Sequence, residues 1–154
     1  MRTVLLLLAL AGCAGSPAGS NGVAQNAPPS GPPLSNEARI MLDAAEGPFQ
    51  VPGTVAARLG QEVRIGDVHV RPVAVLEDSR CPIDVDCVWA GRIRVRVAVR
   101  GAGEPVMELD RPVPVPGGER LILVAVAPPR WSRPPQGVDP NAPQRFAFRL
   151  TGMD

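Results

Sequence analysis

Cys81 and Cys87, together with Asp78, Asp84 and Asp86 around them, are the residues whose types and spacing most readily suggest chemistry. Thiols can form a disulfide, exchange with other thiols or ligate a metal, and carboxylates can ligate a hard cation such as calcium. Calcium takes about six to eight oxygen ligands from a flexible loop, and the spacing of these three acids matches no such loop. We therefore expect solvated acids and no metal site.

The remaining polar residues do not complete a catalytic site. His69 is the only histidine, and a zinc site would need cysteine ligands beside it. Strand alternation predicts that His69 lies on a polar face, so Ser79 has no base within reach. Redox cysteines usually have the Cys-X-X-Cys spacing at a helix N-terminus, whereas this pair is more widely spaced and leads into a strand. We predict that the protein is not an enzyme and holds no cofactor.

The N-terminus has the pattern of an export signal. Met1 and Arg2 make a positive start, and residues 4–10 form an apolar run too short to cross a bilayer. The run ends in Leu-Ala-Gly-Cys at 10–13, which resembles the lipobox of bacterial lipoproteins. The resemblance implies a signal peptide at 1–12 and a lipidated Cys13, and Ala14 favours the outer membrane, with the protein facing the periplasm. An ordinary signal peptide with a chance cysteine is the alternative.

Residues 13–34 are predicted to form a flexible tether behind the lipid. They are almost wholly Gly, Ala, Ser, Asn, Gln and Pro and carry no charge. Such a segment cannot bury enough apolar surface to offset the entropy lost on ordering. A flexible chain of this length reaches roughly 25 Å, so the membrane is an expected partner through the lipid alone.

Export also decides the state of the other two cysteines. The compartment is oxidising and Cys13 is taken by lipid, so we predict that Cys81 and Cys87 form a disulfide. A loop this short contributes only about 2 kcal/mol in the entropic model, so its main role would be to hold a local shape. Trp89 is expected to cover the disulfide or the edge of the core.

Charge gives no case for a nucleic-acid partner. The chain has no Lys and no Tyr, and every basic side chain is an arginine. Removal of Arg2 with the signal peptide leaves basic and acidic side chains in balance. Without a basic excess, electrostatic binding to nucleic acid is not expected.

The domain at 35–154, with its core at about 50–151, is predicted to be all-β: a small antiparallel β-sandwich or partly open barrel of about six to eight strands. Residues 35–46 are the one candidate helix, with Ser35 as its cap and Gly47-Pro48 as its stop, although 39–42 could instead begin a strand. Residues 121–127 are apolar on both faces and should form a central strand. The last strand, 145–151, should point Phe146, Phe148 and Leu150 inward.

Two hairpins can be predicted with their register. Gly66-Asp67 suits a type II′ turn and pairs Ile65 with Val68. A three-residue loop at 101–103 would place Met107 opposite Val97 in the second hairpin. In that register acids face the arginines: Arg100 pairs with Glu104, Arg96 with Glu108 and Arg94 with Asp110. Such pairing would neutralise most of the positive stripe formed by Arg92, Arg94, Arg96 and Arg100, so an anionic partner is not predicted.

The long segment 128–143 is the least explained. It is rich in proline and places Trp131 between Arg130 and Arg133, residue types that are enriched at binding hot spots. We predict these three residues as candidates for binding an envelope protein. In the alternative, Trp131 folds back onto the sheet as a lid.

The segment around the cysteine pair resembles a known group. Asp-Ser-Arg-Cys-Pro at 78–82, a four-residue gap and Cys-Val-Trp-Ala-Gly at 87–91 are similar to the signature of small, mostly uncharacterised bacterial envelope lipoproteins. The resemblance covers about residues 61–150 and implies the disulfide but no activity. The expected function is thus a lipid-anchored, non-catalytic binding or structural module. A small-molecule or metal-binding module is the alternative, and a protease inhibitor or enzyme ranks third.

Overall fold

The computed structural model of the protein describes residues 33–152. The predicted signal peptide, Cys13 and the tether as far as residue 32 lie outside the described residues. Within this range the chain forms two antiparallel four-stranded sheets and one short helix, which confirms the predicted all-β sandwich and excludes a closed barrel. The elements are α1 Asn36–Glu46, β1 Thr54–Arg58, β2 Val63–Ile65, β3 Val68–Asp78, β4 Ile93–Val99, β5 Val106–Glu108, β6 Val113–Pro114, β7 Arg120–Ala127 and β8 Arg145–Thr151.

Helix α1 begins where the sequence predicts. Ser35 is its N-cap, and the Ser35 hydroxyl accepts a hydrogen bond from the Ala38 N–H at 3.2 Å. Such a cap satisfies an N–H group that the first turn leaves without a partner, and it stabilises a helix by about 1 kcal/mol. The helix gives way at Gly47 to a 3₁₀ turn, Gly47–Gln50. Its apolar stripe faces inward, with a buried Ala38 and half-buried Met41, Leu42 and Ala45.

The first sheet has the strand order β1-β8-β7-β6. Strand β7 lies between β8 and β6, as its apolar run predicts, because a central strand has neighbours on both edges. Phe146 and Phe148 of β8 are fully buried, which confirms the inward face of the last strand, and Leu150 is partly buried against the same core. The core therefore lies between this sheet and the second one.

The second sheet has the strand order β2-β3-β4-β5. The predicted first hairpin is confirmed: β2 and β3 pair in the register Val63–Val70, Arg64–His69 and Ile65–Val68. Its inner face is apolar because alternate residues of each strand point to the core. The fully buried members from this sheet are Val70, Pro72, Ile93, Val95, Val97 and Met107.

The predicted register of the second hairpin is wrong by two residues. Strands β4 and β5 pair Arg94 with Glu108 and Val95 with Met107, so the turn comes earlier than expected. Asp110 cannot face Arg94, because the Asp110 N–H donates to the Leu123 carbonyl of the other sheet at 3.0 Å. A shift of two residues leaves each side chain on its predicted face, so the inward and outward alternation survives.

The arginine stripe is partly neutralised, by acids other than those expected. Arg92 pairs with Glu77 at 2.9 Å and Arg94 with Glu108 at 3.5 Å. Arg100 lies in the turn and reaches Glu62 at 3.1 Å. Arg96, the remaining arginine of the stripe, faces Ala74 and Val106, which carry no charge. Three of the four guanidinium groups thus have an acidic neighbour on another segment of the chain.

Candidate functional site

Two loops meet at one end of the sandwich. The disulfide loop, residues 79–92, joins β3 to β4, and the proline loop, residues 128–144, joins β7 to β8. Both connections leave the sheets at the same end, and hydrogen bonds join them across about 50 residues of sequence. The two segments that carry the candidate residues therefore form one structural unit, which we call the loop end.

The disulfide predicted between Cys81 and Cys87 is present, with the two Cα atoms 6.0 Å apart. Below it the β3–β4 pairing continues into the loop. The Ser79 N–H donates to the Arg92 carbonyl at 2.8 Å, and the Cys81 N–H donates to the Ala90 carbonyl at 3.0 Å. The base of the disulfide loop is therefore held by backbone bonds as well as by the covalent link.

Gly91 permits the two sides of this base to approach. Its φ is +66°, a conformation that side-chain-bearing residues rarely adopt, and a Cβ built there would lie 1.8 Å from the Ser79 carbonyl oxygen. The Ser79 carbonyl oxygen is a backbone atom, so it cannot move away by a side-chain rotation. The glycine that ends the Cys-Val-Trp-Ala-Gly sequence is thus required for the loop to close as it does.

A half-buried ion pair joins the disulfide loop to the other sheet. Arg80 donates through Nε and Nη2 to both carboxylate oxygens of Asp78, each at 2.8 Å, and through Nη1 to the Val126 carbonyl at 2.8 Å. The Gln144 amide also donates to Asp78, at 3.2 Å. Burial raises the pKa of Asp78, but the hydrogen bond and charge of Arg80 outweigh burial, so the pKa lies below its usual value.

Asp84 joins the disulfide loop to the proline loop. One carboxylate oxygen accepts from the Ser132 N–H at 2.7 Å, and the other accepts from the Ser132 hydroxyl at 2.7 Å and the Arg133 N–H at 3.2 Å. These bonds, those from Ser132 first, lower the pKa of Asp84 from 3.8 to about 2. Next to it, the Ile83 N–H donates to the Arg130 carbonyl at 2.9 Å.

The acids near the disulfide do not converge on one point. Asp78 is bonded to Arg80 and Gln144, whereas Asp84 is bonded to the proline loop. Across residues 33–152 no group of three or more His, Cys, Asp and Glu side chains is arranged to hold a metal ion. Asp78 and Asp84 thus help to hold the loop end together, so the expectation of solvated acids is wrong for these two, whereas Asp86 is exposed as expected.

The three residues predicted to bind a partner lie in the proline loop in different surroundings. Trp131 is half-buried between two depressions of about 250 Å³ and 180 Å³, and its indole N–H is buried without a hydrogen-bond partner. Arg130 donates to the carbonyls of Asp78 and Arg80 at 2.8 and 3.4 Å. Arg133 is exposed. Trp131 is thus partly covered by its surroundings, and the binding role of these three residues stays a prediction.

The exposed tip of the disulfide loop is not predicted from the sequence. Val88 and Trp89 are 93% and 83% exposed, and Val85 beside them is 44% exposed. The expectation that Trp89 covers the disulfide was wrong, because Ala90 is bonded to Cys81 and the two preceding residues project away from the base. Two adjacent apolar side chains at the end of a braced loop are the most exposed large hydrophobic residues of the described chain.

The polar groups near this tip are not arranged for nucleophilic catalysis. The Ser79 hydroxyl donates to Glu77 at 3.1 Å and accepts from the Arg92 N–H at 3.1 Å. The Arg92 hydrogen bond lowers the pKa of Glu77, which makes that carboxylate a poor base. His69 lies in the first hairpin beside Glu62, at 3.2 Å, and belongs to another part of the molecule.

Comparison with known proteins identifies no relative: no protein-family model, no curated protein and no solved structure matches this chain. The resemblance of the cysteine motif to envelope lipoproteins therefore remains an expectation. In the part of the chain that the structure describes, no helix is long and apolar enough to cross a membrane.

Proposed function

We propose that this protein is a lipid-anchored, non-catalytic binding module of the bacterial envelope, and that its binding element is the tip formed by Val88 and Trp89. The observation that carries the proposal is the near-complete exposure of these two side chains on a braced loop. Contiguous apolar surface that a monomeric protein leaves in water often marks an interaction site. Trp is also the residue type most enriched at binding hot spots.

The bracing of the loop supports a binding role. Binding a flexible loop costs the conformational entropy of ordering it, and a preorganised loop avoids most of that cost. Here the disulfide, the close approach at Gly91 and the bonds of Asp84 hold the backbone on both sides of the tip. The tip can therefore meet a partner with little further ordering.

The envelope location rests on the lipobox-like sequence ending at Cys13 and on the disulfide. Disulfides persist in oxidising compartments such as the periplasm and are rare in the cytosol. The Cys81–Cys87 bond is therefore the state expected of an exported chain. We keep the outer membrane, facing the periplasm, as the proposed site of anchoring.

Two other functions have less support. A small-molecule or metal site using Asp78 and Asp84 would have to compete with the hydrogen bonds that these acids already accept. A protease inhibitor would need an exposed, rigid loop, which the tip region offers, and would be recognised by the identity of the partner. The binding proposal includes that outcome.

The proposal is tested by photo-crosslinking in cells that make the lipidated protein. A photoreactive phenylalanine analogue replaces Val88, and the control carries it at Val106, an exposed apolar residue of strand β5. We expect an irradiation-dependent adduct, protein or lipid, at position 88 and little at 106. The adduct should weaken when Trp89→Ala is added.

The mass of the N-terminal peptide from the same preparation tests lipidation at Cys13. No adduct at position 88 above the level at 106 would overturn the binding proposal. An unacylated Cys13 would overturn the anchoring part and leave the binding part standing.

A further inference from the structure

The described chain enters the domain at the loop end. Ser35 and Glu37, at the start of helix α1, line the smaller depression together with Asp84 and Trp131. Asp84 belongs to the disulfide loop and Trp131 to the proline loop. The segment that arrives from the N-terminus therefore meets the sandwich at the same end as the tip, and not at the end that carries the Gly66-Asp67 turn.

This position limits how an anchored domain can face its membrane. The predicted tether between Cys13 and the domain is about twenty residues long and reaches roughly 25 Å, which is comparable with the size of a small domain. An anchor attached at the loop end lets that end reach the lipid with the least extension of the tether. When it does so, the turns at the opposite end, including the one at Gly66-Asp67, point away.

The residues at the tip suit the bilayer interface. Trp has an apolar ring with a polar N–H and is enriched at the level of the lipid headgroups. Val88 adds a further apolar side chain next to it, and both are freely accessible. Two side chains alone would bind a membrane weakly, but the lipid anchor makes the contact intramolecular and raises its effective concentration.

Charge at the loop end neither drives nor opposes this contact. Arg80 is paired with Asp78 and Arg92 with Glu77, and the two loops carry Asp84, Asp86 and Asp139 against the other two arginines, Arg130 and Arg133. The attraction of polybasic segments to anionic lipid requires unpaired positive charge in excess, which these pairs do not supply. The contact should therefore depend on the interfacial preference of the tip and little on the charge of the lipid.

We infer that the partner of the tip is the bilayer that holds the anchor, with Val88 and Trp89 seated in its interfacial layer and the sandwich oriented by this contact. The inference rests on the proposed function, and it names the partner of the same tip. A single lipid link leaves the domain free to rotate, whereas a second contact at the tip fixes which end faces outward.

Tryptophan fluorescence in lipid vesicles tests the inference. The mature, lipidated protein is reconstituted in zwitterionic vesicles whose acyl chains carry bromine, a short-range quencher. The chain has two tryptophans, and Trp89→Phe removes the exposed one without touching the core. The difference between wild type and this variant isolates the emission of Trp89. We expect about half of that emission to be lost, with a shift to shorter wavelength.

The matched control is the emission left in Trp89→Phe, which comes from Trp131. Because Trp131 is half-buried in the loop end and not part of the tip, we expect that emission to change little between brominated and ordinary lipid. Adding anionic lipid or salt should leave the quenching of Trp89 unchanged, because the contact is not electrostatic.

Unquenched Trp89 emission at the wavelength of a water-exposed indole would overturn the membrane contact. If position 88 then still crosslinks to a protein in cells, the proposed binding function stands and only its partner is wrong. If position 88 yields no adduct either, both proposals fail.

Discussion

The disulfide loop and the proline loop lie side by side, yet their tryptophans differ in exposure to solvent. The proline loop holds Trp131 half-buried, whereas the disulfide loop leaves Trp89 83% exposed. A loop without a covalent link must bury some apolar surface to become ordered, and Trp131 supplies part of that surface. The disulfide loop is ordered by its covalent link and backbone bonds, so it can leave its largest side chain in water.

The exposure of a loop tryptophan therefore depends on what else holds the loop. Where backbone geometry is fixed by other means, an aromatic side chain is free for recognition. Where nothing else fixes it, the aromatic residue becomes part of the structure. The predictions below remove these supports one at a time.

The largest effect is expected from Gly91→Ala. The substitution forces a Cβ against the Ser79 carbonyl and places a side chain at φ +66°. We expect the free energy of unfolding to fall by about 4 kcal/mol, or the base of the loop to open. Chemical denaturation measures the change. Gly47→Ala, which meets no atom within 4 Å, is the control. Equal stability of the two variants would show that the close approach is not needed.

Replacing each tryptophan by alanine should change the free energy of unfolding by different amounts. Trp131→Ala removes a half-buried ring and should lower the free energy of unfolding by about 2 to 3 kcal/mol. Trp89→Ala removes an exposed ring and should change it by less than about 0.5 kcal/mol. Denaturation curves of both variants provide the measurement. A large loss of stability in Trp89→Ala would contradict its assignment as a contact residue.

Removing the disulfide should loosen one loop more than the other. The double variant Cys81→Ser, Cys87→Ser should lose about 2 kcal/mol, because the closed loop is short. Hydrogen exchange should rise most at the N–H groups of Cys81 and its neighbours, and less in the proline loop around Trp131. If exchange rises equally in both loops, the disulfide supports the whole loop end and the contrast between them is weaker than proposed.

The smallest expected effect is on the contact between Asp84 and Ser132, which joins the two loops. In the unsubstituted protein it is expected only at acid pH. The pKa of Asp84 is lowered from 3.8 to about 2 in the folded protein. A lowered pKa means that the carboxylate stabilises the fold above pH 3.8 and that this contribution is lost as the pH falls towards 2. Hydrogen exchange at Ser132 should therefore speed up across this interval. Asp84→Asn should show the fast exchange already at neutral pH, with a flatter dependence on pH.

Local patterns account for what was predicted well. The cap at Ser35 and the turn at Gly66-Asp67 depend on residues a few positions apart, so their outcome is decided within a short stretch of chain. The second hairpin was predicted two residues out of register because Gly101 and Gly103 both take positive φ in its turn. Two registers that differ by two residues keep the same faces, so alternation alone cannot separate them.

The sequence by itself determined the all-β class and the first hairpin, because both follow from periodicity and from neighbours along the chain. It favoured the capped helix without excluding a strand at 39–42, and it predicted the Cys81–Cys87 disulfide from the expected export of the chain. Only the tertiary structure decided that Asp84 reaches Ser132, that Trp131 packs inward and that Trp89 points outward. These outcomes depend on contacts between two loops that lie about 50 residues apart in sequence. The exposure of a side chain depends on which residues the fold brings next to it. Residues that are distant in sequence cannot be identified from the spacing of residues nearby in the chain.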